Sequence, residues 1–279
     1  MSASLVIVSY QTGSVLGDCL AHAMRAEDVG DIVIVDNGNP PDKADLIDRL
    51  ARLSPKVRVI RGQGNVGFAK ACNMGAAEAQ GDILIFANPD VLLNPDAATR
   101  LVAALAAAPP PALIGGDLRD SQGRPERGSR RERLTAWRAF VSVSGLSRFE
   151  RWAPAFRDFN RHGDPMPPSA VRVNCISGAL FAIRKLDYDA IGGLDEGYFV
   201  HVEDIDFCRR AEERGWPVMF LPGPHGVHVR STSQIDPAIV SAHKARGMAR
   251  YFQKFGASPI ERAGARLLGA ILSFTAPRS

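Results

Sequence analysis

Ile32-Val-Ile-Val-Asp-Asn-Gly-Asn39 is a run of four β-branched residues that stops at an acid and a turn. β-Branched residues suit a pleated strand, and Asn-Gly is turn chemistry. Leu5 to Val8 is a second short apolar strand, and Asp82-Ile-Leu-Ile-Phe-Ala-Asn-Pro-Asp90 is another that again closes on an acid. Val57 to Ile60 makes one more strand. The segments between them have helical spacing. Ser14 to Arg25 carries Val15, Cys19, Leu20 and Ala23, and Asp42 to Leu53 carries Leu46, Ile47 and Leu50 on one face. Phe68 to Ala79 is a helix of small residues able to pack closely on a sheet. Asn94 and Pro95 are read as the cap and first residue of a helix reaching Ala108. Apolar strands separated by helices predict an α/β fold with a mostly parallel sheet covered on both faces. Such sheets bind ligands beyond the carboxyl ends of their strands.

The pattern breaks at Pro109 to Pro111. Arg119, Arg124, Arg127, Arg130, Arg131, Arg133 and Arg138 follow with little periodicity. Asp120 to Pro168 therefore reads as a long loop with one helix near Leu134 to Val143, and loops of this length are functional or mobile. Order returns over Val171 to Ile183. A helix rich in acids follows, then a strand over Val218 to Leu221 and a helix over 236–256. Ile260 to Phe274 is a short amphipathic segment, and no internal repeat is visible.

The chain has 279 residues, of which 46% are hydrophobic, enough for a full core and too many for wholesale disorder. Its net charge of +4 suits an anionic ligand or membrane surface but is small for a nucleic-acid binder. Cys19, Cys72, Cys175 and Cys208 are scattered, which argues against a disulfide scaffold or a zinc knuckle. The first residues lack the basic region and apolar length of a secretory signal, and no stretch reaches the ~20 apolar residues of a spanning helix. The expected location is the cytoplasm, with reduced thiols.

The chemistry concentrates in six places. His201-Val-Glu-Asp-Ile-Asp-Phe-Cys-Arg-Arg210 puts Glu203, Asp204 and Asp206 in the first turn of a helix ending at Arg214-Gly215. The positive end of a helix dipole favours ionised acids, as a general base requires. A capping cluster on a solvated helix is the competing reading. Asp36, just past a strand, is placed to accept hydrogen bonds from a ribose or base, or else to start an Asx turn. Gly64 to Gly75 sets two glycines before a helix, where backbone can approach a phosphate-bearing ligand, although a tight turn explains it equally. Asp90, at the end of Asn88-Pro-Asp, is where a cation could bridge to a diphosphate, or is a turn residue. His228 follows the last strand, and imidazole suits Mn²⁺; His225 and His201 are weaker candidates. The arginine-dense run is either a solvated surface or a site for a phosphate-rich partner.

Taken in order, VIVSYQTGSVLGDCL, IVIVDNGN, GNVGFAKACNMGAAEAQGDILIFANPDV and SGALFAIRKLDYDAIGGLDEGYFVHVEDIDFCRRAEERGWPVMFLP, followed by His228, resemble glycosyltransferase family 2 and its rhamnosyltransferase-like branch over roughly residues 5–233. The resemblance implies a GT-A fold, a nucleotide-sugar donor, a divalent cation (Mg²⁺ or Mn²⁺) and inversion at the anomeric carbon. It implies a GT-A domain over 1–235, with a nucleotide-binding half at 1–115 and an acceptor-binding half at 116–235, and a C-terminal helical extension at 236–279. Ser9, Asp36, Asn65, Gly67, Phe68, Asn73 and Asn88 would line the donor site, and Asp90 and His228 would hold the metal. Asp204 would be the base, with Glu203 a substrate contact or alternative base. Asn88 departs from the first acid of the family's D-x-D, which removes one charge from the metal site.

The implied acceptor is a hydroxyl of a glycan or lipid-linked saccharide in surface polysaccharide synthesis. The implied donor is dTDP-rhamnose or a UDP-sugar. Arg127, Arg130 and Arg131 would meet a lipid-linked diphosphate. The 260–274 segment would lie on the inner face of the plasma membrane, or else pack into the core or a homodimer. A catalytically weak donor-binding subunit of an assembly complex is the alternative, and nucleic acid is not expected as a partner.

Overall fold

The computed structural model describes residues 2–229 and 235–266. The elements run β1 (Ala3–Ser9), α1 (Leu16–Arg25), β2 (Val29–Asp36), α2 (Pro41–Ala51), β3 (Val57–Ile60), α3 (Phe68–Glu78), β4 (Ile83–Ala87), β5 (Val91–Leu93) and α4 (Ala97–Ala107). There follow β6 (Leu113–Arg119), β7 (Arg130–Arg131), α5 (Ala136–Ser144), β8 (Val171–Arg172), β9 (Cys175–Ile176), β10 (Leu180–Arg184), α6 (Lys185–Ile191), α7 (Glu203–Glu213), β11 (Val218–His228) and α8 (Pro237–Phe255).

The main sheet has the order β3-β2-β1-β4-β10-β6-β11-β5. β1, β2, β3 and β4 are mutually parallel, as are β6 and β11, while β10 runs antiparallel between β4 and β6. Alternate residues of each central strand feed opposite faces. Val6, Val8, Val33, Val35, Leu84 and Phe86 join one core with α3, α6 and α7. Leu5, Ile7, Ile32, Ile34, Ile83 and Ile85 join the other with α1 and α4. Covering both faces is what makes these strands continuous apolar runs.

Two sequence expectations need correction. Asn94 does not cap α4: its side chain donates to the Pro224 carbonyl at 3.0 Å, and Asp96 occupies the cap position. Residues 120–168 are not one long loop. β7 pairs with β9, α5 packs Val141 into the core, and short 3-10 turns follow at Leu146–Phe149 and Pro154–Phe156. The arginines there are held by acids, including Arg133–Glu212 at 2.6 Å, Arg157–Glu132 at 3.2 Å and Arg161–Glu150 at 2.5 Å. α8 packs on the rest of the fold: its Tyr251 lies in the core cluster with α7, and Lys254 reaches Asp206 at 2.7 Å. Residues 259–266 are helical, but Leu267, Leu268, Ile271, Leu272 and Phe274 of the expected amphipathic segment lie outside the described residues.

α3 sits unusually close to the sheet because it presents Ala69, Ala71, Cys72, Gly75 and Ala76. A Cβ at Gly75 would collide with Val6 Cγ1 and lie 3.2 Å from Val35 Cγ2. Gly75→Ala gains about 1 kcal/mol of helix propensity but overpacks the contact, which typically costs about 1–3 kcal/mol. The expected net effect is a loss of stability in urea denaturation. Equal or greater stability of the variant would mean that the helix–sheet contact has slack.

Candidate active site

β1 and β2 pair in parallel with Ser9 opposite Asp36, and β4 lies on the other side of β1. Their carboxyl ends therefore meet where the chain order reverses, the place where open α/β sheets form a crevice. Asp36 is buried. Its Oδ1 accepts from Asn39 N at 2.9 Å and Asn39 Nδ2 at 2.8 Å, and its Oδ2 accepts from Arg61 Nε at 2.7 Å. Ser9 is fully buried and its Oγ bonds Thr12 and Asn39, so it positions neighbours rather than facing a ligand. Asn39 and Arg61 are thus as much a part of this strand-end network as Asp36.

The glycine turn before α3 is ordered by side chains. Asn65 Oδ1 accepts from Gly67 N and Asn37 Nδ2, both at 3.1 Å. Gly67 has φ +86, and a Cβ there would lie 2.8 Å from the Phe199 carbonyl, which itself accepts from Phe68 N at 2.6 Å. Glycine is needed both for the backbone angle and for this close approach. Asn73 points elsewhere. Its amide oxygen accepts from Tyr188 Oη and Leu194 N, and its nitrogen donates to Leu194 O and Glu196 Oε1, so the side chain is committed to the 193–196 turn.

β4 leads into Asn88-Pro-Asp90, and β11 ends at His228, which pairs with Val91 of β5. This register brings His228 Nε2 within 3.1 Å of Asp90 Oδ1, while Nδ1 lies 2.9 Å from Glu126 Oε1. Burial disfavours a charged ring, but the hydrogen bonds and charges of Asp90 and Glu126 prevail and raise His228 to about 9. A carboxylate oxygen and an imidazole nitrogen thus face each other, with a second carboxylate orienting the ring; no group of three or more His, Cys, Asp or Glu able to hold a metal ion is present among the described residues, so a divalent cation here would need diphosphate oxygens to complete its shell. The Asn88 side chain makes no hydrogen bond among the described residues and is half-buried beside this pair. His225, by contrast, is buried and accepts from Asp117 N at 3.1 Å, and burial lowers it to about 4.

α7 presents Asp204 toward the same region. Its Oδ2 accepts from Arg131 Nη2 at 2.5 Å and from Gly178 N at 2.9 Å, and its Oδ1 accepts from Ile205 N at 2.8 Å. Burial favours the neutral acid, but the Arg131 charge and these N–H groups outweigh it and hold Asp204 below the usual range. Oδ1 retains a lone pair for one further donor. Gly178 N binds Asp204, and the carbonyl of the following residue, Ala179, accepts from Asn88 N at 3.0 Å. The Gly178–Ala179 peptide thus lies between Asp204 and the Asp90 turn. Glu203 goes the other way: burial first, and the Asp204 charge second, push it up to about 8. Asp206 is fully buried on Tyr198, Arg210 and Lys254 and serves to anchor α7.

The arginine triad divides. Arg131 holds Asp204. Arg130 is buried with its guanidinium on the Asp164 and Pro165 carbonyls and over the Phe220 ring. Arg127 is exposed, 3.9 Å from Asp158. Arg130 and Arg131 are therefore occupied by protein groups rather than presented to a diphosphate. Glu126, Gly178 and the pairing of Arg131 with Asp204 could not be seen in the sequence, since each partner is distant along the chain.

An α/β sheet with strand-end acids, a facing Asp–His pair and a half-buried carboxylate held by an arginine is the arrangement of a GT-A type transferase. The chain belongs to glycosyl transferase family 2, whose model matches residues 4–183, and it is a glycosyltransferase. It is 26% identical over 257 residues to the N-acetylglucosaminyl-diphospho-decaprenol L-rhamnosyltransferase of Mycobacterium tuberculosis, covering 86% of this chain and 81% of that one. Among solved structures it resembles the mannosyltransferase PcManGT of Pyrobaculum calidifontis in complex with GDP-Man and Mn²⁺, with TM-score 0.59, 16% identity, and coverage of 98% of this chain and 70% of that one. It also resembles GalNAc-T7 with UDP, GalNAc and Mn²⁺, with TM-score 0.65, 16% identity, and coverage of 98% and 55%.

The opposed acids give a pH prediction. Glu203 is raised in the folded state from 4.5 to about 8, so its contribution to stability is full below 4.5 and is lost as pH rises toward 8. Glutamine cannot ionise and loses nothing. The stability of Glu203→Gln relative to the unaltered protein should therefore improve steadily from pH 5 to pH 8 in urea titrations. A difference that is constant with pH would show Glu203 ionised like a surface acid.

Proposed function

We propose that this glycosyltransferase moves a sugar, with inversion, from a nucleoside-diphosphate sugar to a hydroxyl of a lipid-linked saccharide during surface polysaccharide synthesis at the inner face of the membrane. dTDP-rhamnose is the favoured donor, with UDP-sugars next. The observation that carries the reading is the Gly178–Ala179 peptide. It joins Asp204, a single ionised carboxylate, to the turn bearing Asp90. Inversion needs one base and no covalent enzyme intermediate, which matches a site offering one available carboxylate. The rhamnose and lipid-diphosphate preferences are supported by the name of the Mycobacterium tuberculosis relative.

In this mechanism Asp204 Oδ1 accepts the proton of the acceptor hydroxyl, and the freed oxygen attacks the anomeric carbon opposite the diphosphate. Arg131 and Gly178 N hold the carboxylate ionised and fix its orientation. Asn39, Arg61 and Asp36 bind the nucleoside end, and Asn65, Gly67 and Phe68 shape the wall between nucleoside and sugar. A divalent cation held by Asp90 Oδ1 and His228 Nε2 would supply positive charge to the departing diphosphate. Glu126 keeps the imidazole turned toward Asp90. Asn88, beside it, is a neutral contact for the diphosphate or sugar.

Asp204→Asn should bind donor normally and lose transfer by about 10²–10⁴-fold, because the amide keeps shape without basicity. Near-normal turnover would transfer the role away from Asp204. Asp90→Ala should weaken donor binding and abolish any stimulation by Mn²⁺ together, measured by calorimetry with and without the metal. Donor affinity that is unchanged in Mn²⁺ would remove Asp90 from the ligand set.

A further inference from the structure

The sequence from Trp137 to Arg157 forms a surface that the transfer chemistry does not use. α5 buries Val141 and turns the opposite side outward. Trp137 is 48% exposed, Phe140 55%, Val143 90%, Phe149 39% and Trp152 74%. Three of these aromatic rings are joined through Phe156. The Trp137 ring lies 5.7 Å from Phe140 and 6.2 Å from Phe156, and Phe156 lies 6.3 Å from Phe149. The Trp137 indole N–H donates to the Ala155 carbonyl at 2.6 Å, which fixes α5 against the second 3-10 turn. Exposed aromatic clusters of this kind mark interaction sites.

The charge around the patch selects the partner. Residues 137–157 contain four arginines and one glutamate. Glu150 is turned inward onto Arg161 at 2.5 Å, and Arg138 and Arg157 are paired with Glu132. Arg148 and Arg151 have no carboxylate partner among the described residues. They lie over the rings of Phe149 and Trp152, at 4.7 and 5.1 Å. A second copy of the chain meeting this surface across a two-fold axis would bring unpaired arginines against one another. Residues 267–279 contain an arginine and no acid, so they could not neutralise the patch either. Anionic lipid headgroups match the arginines, and the headgroup–acyl boundary accepts Trp and Phe.

We propose that α5 and the two following 3-10 turns form a membrane-docking surface, with Trp137, Phe140, Val143, Phe149 and Trp152 entering the interface and Arg148 and Arg151 binding anionic headgroups. The inference extends the reading of a lipid-linked acceptor, yet it is measured without donor or acceptor, so its failure leaves the transfer reading standing.

The test is sedimentation of the full chain with phosphatidylcholine vesicles, with and without phosphatidylglycerol. Binding should require phosphatidylglycerol and weaken with salt. Phe140→Ser and Trp152→Ser should each weaken it by about tenfold or more, since each loses most of the burial of one large apolar side chain. Arg148→Glu with Arg151→Glu should abolish the phosphatidylglycerol dependence. All four positions are on the surface, so thermal melts should be unchanged and transfer to a soluble acceptor analogue should persist. Vesicle binding by the variants equal to that of the unaltered chain would overturn the proposal and point to residues 267–279. A concentration-dependent dimer of the unaltered chain that Trp152→Ser dissociates, without vesicle binding, would overturn it in favour of a copy interface.

Discussion

A carboxylate removed from water must be kept ionised if it is to act as a base, and much of the second half of this chain follows from that constraint. Burial alone would protonate Asp204. Arg131 prevents it, but only because the guanidinium is itself fixed in place. Its strand, β7, pairs with β9 by setting Arg131 opposite Cys175, and Arg131 also donates to the Ile176 carbonyl at 2.6 Å. Arg130, next in line, clamps the Asp164 and Pro165 carbonyls and so holds the end of the arginine-rich segment against β11. One ion pair thus requires the order seen across residues 120–168. The same requirement explains why Glu203 is neutral. Two adjacent buried acids cannot both ionise cheaply, and only Asp204 has the arginine.

The other pole of the site is built on the same logic with the signs reversed. His228 is buried between Asp90 and Glu126, and both acids draw a proton onto it. A cation held at Nε2 would have to displace that proton. Glu126 lies on the other ring nitrogen, Nδ1, at 2.9 Å. Replacing the first acid of a D-x-D by Asn88 removes one anion from a place that already holds two carboxylates around one ring. The substitution lowers the charge to be neutralised there while keeping a side chain able to donate to an oxygen.

What the sequence shows and hides follows from how far each signal reaches. β1, β2 and β4 were legible because burial on both faces leaves continuous apolar runs between amphipathic helices, and β3, at the sheet edge, shows as a short Val57-Arg-Val-Ile60 run. β6 was missed: Pro109 to Pro111 break the pattern before it, and Gly115 and Gly116 interrupt its apolar run. The structure needs them there, since a Cβ at Gly115 would lie 2.5 Å from Ile176 Cβ and one at Gly116 would lie 2.6 Å from Leu180 Cδ2. The arginine run was misread because its partners are remote: Asp204 is 73 residues from Arg131, and Glu212 is 79 from Arg133. The acids at strand and helix ends were visible individually. Glu126, 102 residues before His228, gave no local sign. Ser9 and Asn73 were read as donor contacts, but their hydrogen bonds are spent on the fold, which no motif reveals.

The segment that stabilises the base also forms the outer surface, and this joins two otherwise separate functions. Arg131 lies four residues before Thr135, whose hydroxyl caps α5 by accepting from Arg138 N at 3.1 Å. From there the chain passes directly to Trp137 and Phe140 on the exterior, while Leu134 and Val141 remain in the core. Residues 132–135 link β7 to α5, so the arginine that holds Asp204 and the exterior aromatic face belong to one continuous segment, ordered by the ion pairs of Arg133, Arg157 and Arg161.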